Sequence, residues 1–254
     1  MELGIDMKKV LVVALLLCCM AIQPAYGNPV PVSDQGGTPV VDGDTPVILQ
    51  YENVTYVVDE EHQANVSAVY RLTNPTGTER NLSIMLPFEE RMPDDLAIRQ
   101  DNVSISYAMV PVNQSFSPAA RFPCCIPANG TCKITATYSL WIAEVTHRVA
   151  MYRYECIYTA ETGRHWNGSI AEARFTFKVA KDLYSHGLSG FVVTETTRYM
   201  VARATYHNWT ADRDIEAVWY NINAFGKALL IIVPVVIIVA AVLVIRTVRK
   251  RHAR

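Results

Sequence analysis

The chain has 254 residues, half of them hydrophobic, and a formal net charge of −1. The charge is unevenly placed: the N-terminal segment sums to zero, the last nine residues carry +5 and Lys227 adds +1, which leaves −7 on everything between. An acidic central part of about two hundred residues excludes a nucleic-acid partner and is long enough for one large or two small domains.

At the N-terminus, Lys8 and Lys9 precede an apolar run from Val10 to Ile22, and Ala25-Tyr26-Gly27 follows. A basic start, a short apolar stretch and small residues at −3 and −1 predict a secretory signal peptide over 1–27, cleaved after Gly27. Met7 opens a more conventional signal than Met1. An uncleaved signal anchor is the alternative, and the shortness of the apolar run speaks against it. Leu17 stands before Cys18, where a lipidation signal needs a small residue.

Residues 28–46, NPVPVSDQGGTPVVDGDTP, are rich in Pro, Gly and Asp and predict a flexible leader. From Val47 the texture becomes that of alternating strands. Val54, Tyr56 and Val58 share one face, opposite Asn53 and Thr55. Val66, Ala68, Tyr70 and Leu72 oppose Ser67, Arg71 and Thr73. The turn signal Asn74-Pro75-Thr76-Gly77 then leads to Leu82, Ile84, Leu86 and Phe88, and the two runs together predict a hairpin. Val103, Ile105, Tyr107 and Met109 predict one further strand, followed by a loop bearing Pro and Cys. Strands are also expected at Ile134–Ile142, Ala150–Tyr158, Ala171–Val179, Gly190–Thr194 and Arg198–Tyr206. Short strands of period two with one apolar face predict an all-β ectodomain over 47–224. The expected fold is an antiparallel β-sandwich, one large or two small with a sub-boundary near 111–126.

Ala228 to Ile245 is an unbroken apolar run without a charge. At about 1.5 Å per residue it covers most of a hydrocarbon core of roughly 30 Å, which predicts a transmembrane helix over 225–246. The competing buried core helix fits less well. The basic residues from Arg246 to Arg254 then predict a cytoplasmic tail over 247–254 and a type I orientation, with the bilayer as partner. Trp219, Tyr220 and Phe225 precede the run as an expected interfacial aromatic belt.

Eight Asn-x-Ser/Thr sequons are candidate glycosylation sites: Asn53, Asn65, Asn81, Asn102, Asn113, Asn129, Asn167 and Asn208. In a strand, Asn and the hydroxyl two residues on share a face, and at Asn53, Asn65, Asn81 and Asn102 that face is the polar one. After signal removal four cysteines remain, Cys124, Cys125, Cys132 and Cys156, an even set that predicts two disulfides. Neighbours rarely bond each other, so Cys124 and Cys125 are expected to pair separately with Cys132 and Cys156. The spacing does not form a zinc knuckle.

No catalytic, metal or cofactor motif is present: H-E-x-x-H, G-x-S-x-G, G-x-G-x-x-G and the phosphate loop are all missing. The acidic runs Asp59-Glu60-Glu61, Glu89-Glu90 and Asp94-Asp95 read as solvated loops, with a glycan hydrolase or weak calcium binding as the alternatives. Trp141, Trp166, Trp209 and Trp219 are candidates for core or for stacking on sugar rings. The expectation is therefore a non-enzymatic surface glycoprotein in a binding, adhesion or envelope role, facing a surface protein or glycan. An accessory subunit of a membrane complex is the other reading.

Overall fold

A computed structural model describes residues 37–41, 45–88, 92–112, 117–142, 144–147, 150–160, 163 and 166–252. The expected signal peptide, most of the leader, Asn113 and Glu89-Glu90 lie outside the described residues.

The chain is mostly β, with sixteen strands among the described residues and one C-terminal helix. In order they are β1 Val40–Val41, β2 Ile48–Val58, β3 Gln63–Thr73, β4 Arg80–Pro87, β5 Ala97–Gln100, β6 Val103–Ser104, β7 Ala108–Val112 and β8 Ser117–Ile126. They continue with β9 Thr131–Trp141, β10 Glu144–His147, β11 Met151–Tyr158, β12 Ile170–Ala180, β13 His186–Gly187, β14 Val192–Glu195, β15 Tyr199–Trp209 and β16 Ile215–Ile222. The helix α1 spans Ala224–His252. An eight-stranded sheet has the order β14-β15-β12-β2-β3-β9-β5-β6, and two four-stranded sheets have the orders β1-β4-β8-β7 and β10-β11-β16-β13. None of the three closes into a barrel. All pairs are antiparallel except β12 with β2, which correlates with their separation by more than a hundred residues of chain. The expected purely antiparallel arrangement is corrected on that one pair.

The alternation read from β2, β3, β9 and β12 holds. Val54, Tyr56, Val58, Val66, Ala68, Tyr70, Ile134, Tyr138, Phe175 and Phe177 are buried. Aromatic contacts join the sheets: Tyr158 of β11 meets Phe175 of β12 at 5.4 Å between ring centroids, and Phe88 meets Tyr138 edge-on at 5.3 Å. Tyr56 stacks on Phe177 at 4.9 Å within the large sheet. Each such ring contributes roughly 1.5–3 kcal/mol through burial.

Four expectations change. β3 and β4 do not form a hairpin: β3 pairs with β2 and β9, while β4 pairs with β1 and β8 in another sheet. The Asn74 turn is an arch between sheets. Its buried side-chain amide donates to Thr78 O (2.8 Å), Pro127 O (2.9 Å) and Ile126 O (3.3 Å), which ties the turn to the end of β8. Second, the stretch read as a Pro- and Cys-bearing loop is β7 and β8, paired with each other from Ala108–Arg121 to Val112–Ser117. Pro111, Pro118 and Pro123 hid it, because proline is usually a sign against a central strand. Third, Val103 to Met109 is not one strand: β6 and β7 belong to different sheets, and Val103 and Met109 are 68% and 71% exposed. Fourth, Trp219 is not interfacial. It is fully buried on β16, a strand the reading missed, and stacks on Tyr154 at 5.8 Å.

Part of the stretch read as a leader is packed. Gly37 N donates to Pro87 O (3.1 Å) and Thr38 N to Thr159 O (3.0 Å), so this segment runs between the ends of β4 and β11. Trp166 Nε1 donates to Pro39 O (2.7 Å) over it.

Candidate binding face

The large sheet turns one face to the core and presents the other outward. Register pairs Thr176 with Thr55, Thr55 with Ser67, and Ser67 with Thr137, a transverse row of hydroxyls across four strands. The next row sets Val57 opposite Asn65 and Asn65 opposite Ser139. From Thr55 to Ser139 these rows, without Thr176, line a shallow groove of about 410 Å³, bounded by Asp95. Asp95 closes it because Ser139 N donates to Asp95 Oδ1 (2.8 Å) and Ser139 Oγ to Oδ2 (2.7 Å). Ser139 Oγ also lies 3.2 Å from Asn65 Oδ1. The result is a mixed lining in which the apolar surface of Val57 and Val66 adjoins hydroxyl, amide and carboxylate groups, of which Ser139, Asp95 and Asn65 are linked to one another. Such a lining can exchange hydrogen bonds with a hydroxylated ligand. Trp141, at the end of β9 on the same face, is 53% exposed, whereas Trp166, Trp209 and Trp219 are buried. Beside the groove, Arg71 and Arg174 flank Tyr51, at 5.5 and 5.9 Å from its ring centroid. Thr137 and Ser139 were legible as a polar face. Their meeting with Asp95, read as part of a solvated loop, was not.

A second polar cluster is internal. Glu52 on β2 is completely buried, and its Oε1 accepts from Thr38 Oγ1 (3.0 Å) and from the Tyr158 hydroxyl. Tyr70 OH lies 3.0 Å from Tyr158 OH and 3.4 Å from Gly37 O. Glu52 Oε2 has no hydrogen-bond partner. Burial therefore outweighs the two hydrogen bonds and pushes the carboxyl pKa up to about 7. The same burial holds the Tyr70 and Tyr158 hydroxyls well above the ordinary tyrosine range. No solvent reaches this carboxyl, so it ties the segment at Gly37–Thr38 to the core. Its signal was present in the sequence: position 52 falls on the same face as Val54 and Tyr56.

The remaining candidates are dispersed. Asn65, Asn81, Asn102, Asn129, Asn167 and Asn208 are exposed, and Asn53 is half-buried on the outward face of β2. No disulfide forms among the described cysteines. Cys124 and Cys132 are buried with sulfurs 3.5 Å apart, Cys125 is exposed beside Asn81, and Cys156 is buried in the other small sheet. Neighbouring strand residues face opposite ways, so Cys125 points away from the core that holds Cys156. The expected two-disulfide set is thus not seen. The carboxylate of Asp59 is used within its own turn, where Oδ1 accepts from Glu61 N (3.1 Å) and Gln63 N (2.9 Å). His62 stacks on Tyr154 at 4.8 Å, and burial lowers its pKa. Among the described residues, no three His, Cys, Asp or Glu side chains are grouped to hold a metal ion.

No family model and no curated protein matches the chain. The fold is similar to that of a Legionella pneumophila subsp. pneumophila str. Philadelphia 1 protein assigned provisionally to nutrient binding. The TM-score is 0.62 at 13% identity, over 76% of this chain and 73% of that one. An M1 zinc metallopeptidase from Deinococcus radiodurans superposes at TM-score 0.39 and 11% identity, over 68% of this chain and 42% of that one. A yeast leukotriene A4 hydrolase superposes at 0.41 and 9%, over 67% and 28%. The first of these shows a shared fold; the other two are too distant in shape to bear on this chain.

Proposed function

We propose that the chain is a single-pass, membrane-anchored surface glycoprotein whose β-sandwich outer part binds a glycan on the outward face of its large sheet. The observation that carries the anchoring is α1: within Ala224–Arg249 it holds an 18-residue window of mean hydropathy 3.5, long and apolar enough to cross a bilayer, and none of that window is buried against the rest of the chain. An apolar surface of this size does not remain in water. Pro234 lies inside the helix and is tolerated there. The basic residues beyond it support a type I orientation, and the apolar N-terminal run supports export through a signal peptide.

Binding rather than catalysis is supported by the open groove with its hydroxyl, amide and carboxylate groups and by the fold shared with the Legionella protein. A fully buried carboxyl such as Glu52 is out of a substrate's reach. The test uses intact cells displaying the full chain. They should retain labelled oligosaccharides from a mixed panel, and Ser67→Arg, which fills the hydroxyl floor, should abolish retention with surface expression unchanged. Retention unaffected by Ser67→Arg, or none by either protein, overturns the reading.

We further propose one disulfide, Cys124–Cys132, linking β8 of a small sheet to β9 of the large one. Exchange with an oxidised dithiol carrier of the secretory compartment would take up the two electrons and two protons released. Closing so short a loop stabilises by roughly 2–3 kcal/mol. Non-reducing peptide mapping should find Cys124 linked to Cys132, with Cys125 alkylated in the native protein and Cys156 only after unfolding. A Cys125–Cys156 link would refute the assignment.

A further inference from the structure

The last strand and the apolar helix form one continuous unit. β16 ends at Ile222, and Asn223 alone separates it from α1. Asn223 caps the helix, its Oδ1 accepting from Gly226 N at 2.8 Å and its carbonyl from Lys227 N at 2.9 Å. Its own N–H donates to Ala150 O (3.1 Å), so the cap is also bound to the chain leading into β11. Gly226 presses on the same Ala150 carbonyl so closely that a Cβ there would overlap it and the Ile222 side chain. A one-residue junction, capped on one side and packed on the other, contains no hinge.

The junction therefore selects which end of the β body meets the lipid. At that end Ile222 pairs with Met151, Ile222 N donates to Ser185 Oγ (2.8 Å), and Asn221 Nδ2 donates to Asp182 O (2.8 Å). The same end gathers amphipathic rings. Tyr152 and Tyr184 are half-buried, His186 stacks on Tyr220 at 4.9 Å, and Phe225 is 52% exposed on the first helical turn. Rings with an apolar body and a polar edge are favoured at headgroup level, and Lys227 can extend its ammonium to the same depth.

We propose that this end, with Tyr152, Tyr184, His186, Tyr220 and Phe225, rests among the lipid headgroups, so that the body stands in one fixed attitude on the membrane. The proposal depends on the anchoring reading above. Its test uses the full chain in phosphatidylcholine vesicles containing a nitroxide-headgroup lipid. An environment-sensitive fluorophore is introduced through a non-natural amino acid at His186 or at Glu216. Both positions are exposed; His186 pairs with Tyr220, four residues from Glu216, or roughly 13 Å along β16. The nitroxide should quench the probe at 186 and leave that at 216 bright. A Gly-Ser linker of about ten residues after Asn223, long enough to free the body, should relieve the quenching at 186. Equal signals at both positions would overturn the docking, and quenching that survives the linker would overturn the single attitude fixed by the junction, in each case while the chain still resists carbonate extraction. Release of the chain by carbonate would instead overturn the anchoring, and the docking with it.

Discussion

Replacing Glu52 with Gln should stabilise the protein by about 3 kcal/mol above pH 8 and leave its stability nearly unchanged below pH 5. Burial raises the Glu52 pKa from an ordinary 4.5 to about 7 in the folded protein. Below 4.5 the group is protonated in both states and has no effect on the balance. As the pH rises from 4.5 to 7 the unfolded chain releases the proton while the folded chain keeps it. Stability therefore falls across that window and stays low above 7, where the folded protein must hold an ionised carboxylate with one oxygen unpartnered. Gln keeps the acceptor for Thr38 Oγ1 and Tyr158 OH without the charge. Unfolding of the full chain in detergent, followed from pH 4 to 9, should show a declining stability for the native protein and a flatter profile for Glu52→Gln. Parallel profiles would mean that Glu52 is not buried as described. A Glu52→Gln protein less stable than the native one above pH 8, though not below pH 5, would mean that the charge is welcome there.

Ile84→Ala should cost roughly 2–5 kcal/mol, whereas Asn81→Gln should stay within about ±0.5 kcal/mol while removing one sequon. Both residues lie on β4. Ile84 is fully buried and sits opposite Phe122, which is also buried; Asn81 is exposed opposite Cys125. A slip of one residue along β4 would exchange the two faces, so the pair of substitutions reads the register directly. The comparison is made by thermal unfolding in a host that does not glycosylate, so that a missing glycan does not confound it. Equal losses for the two variants would refute the assigned faces.

The faces of β4 were legible from the sequence although its partner was not. Alternation of Leu82, Ile84, Leu86 and Phe88 follows from backbone geometry alone and needs no neighbour. The same holds for β2, β3, β9 and β12, and for the apolar stretch of α1, whose length and composition are local properties. Even Glu52 could be placed on an inward face in this way. Which strand a strand meets is a different kind of fact. The Asn74 signal specifies a change of direction, and only the occupation of both edges of β3 by β2 and β9 sends β4 to another sheet. Tertiary structure likewise brought Cys124 to Cys132 across two sheets and set Asp95 against Ser139. It buried Trp219 while leaving Trp141 exposed. Those outcomes depend on contacts between residues far apart in the chain, where the burial available to a side chain is decided by which surfaces happen to close over it. Periodicity is an attribute of one segment, and it carries no information about the partner.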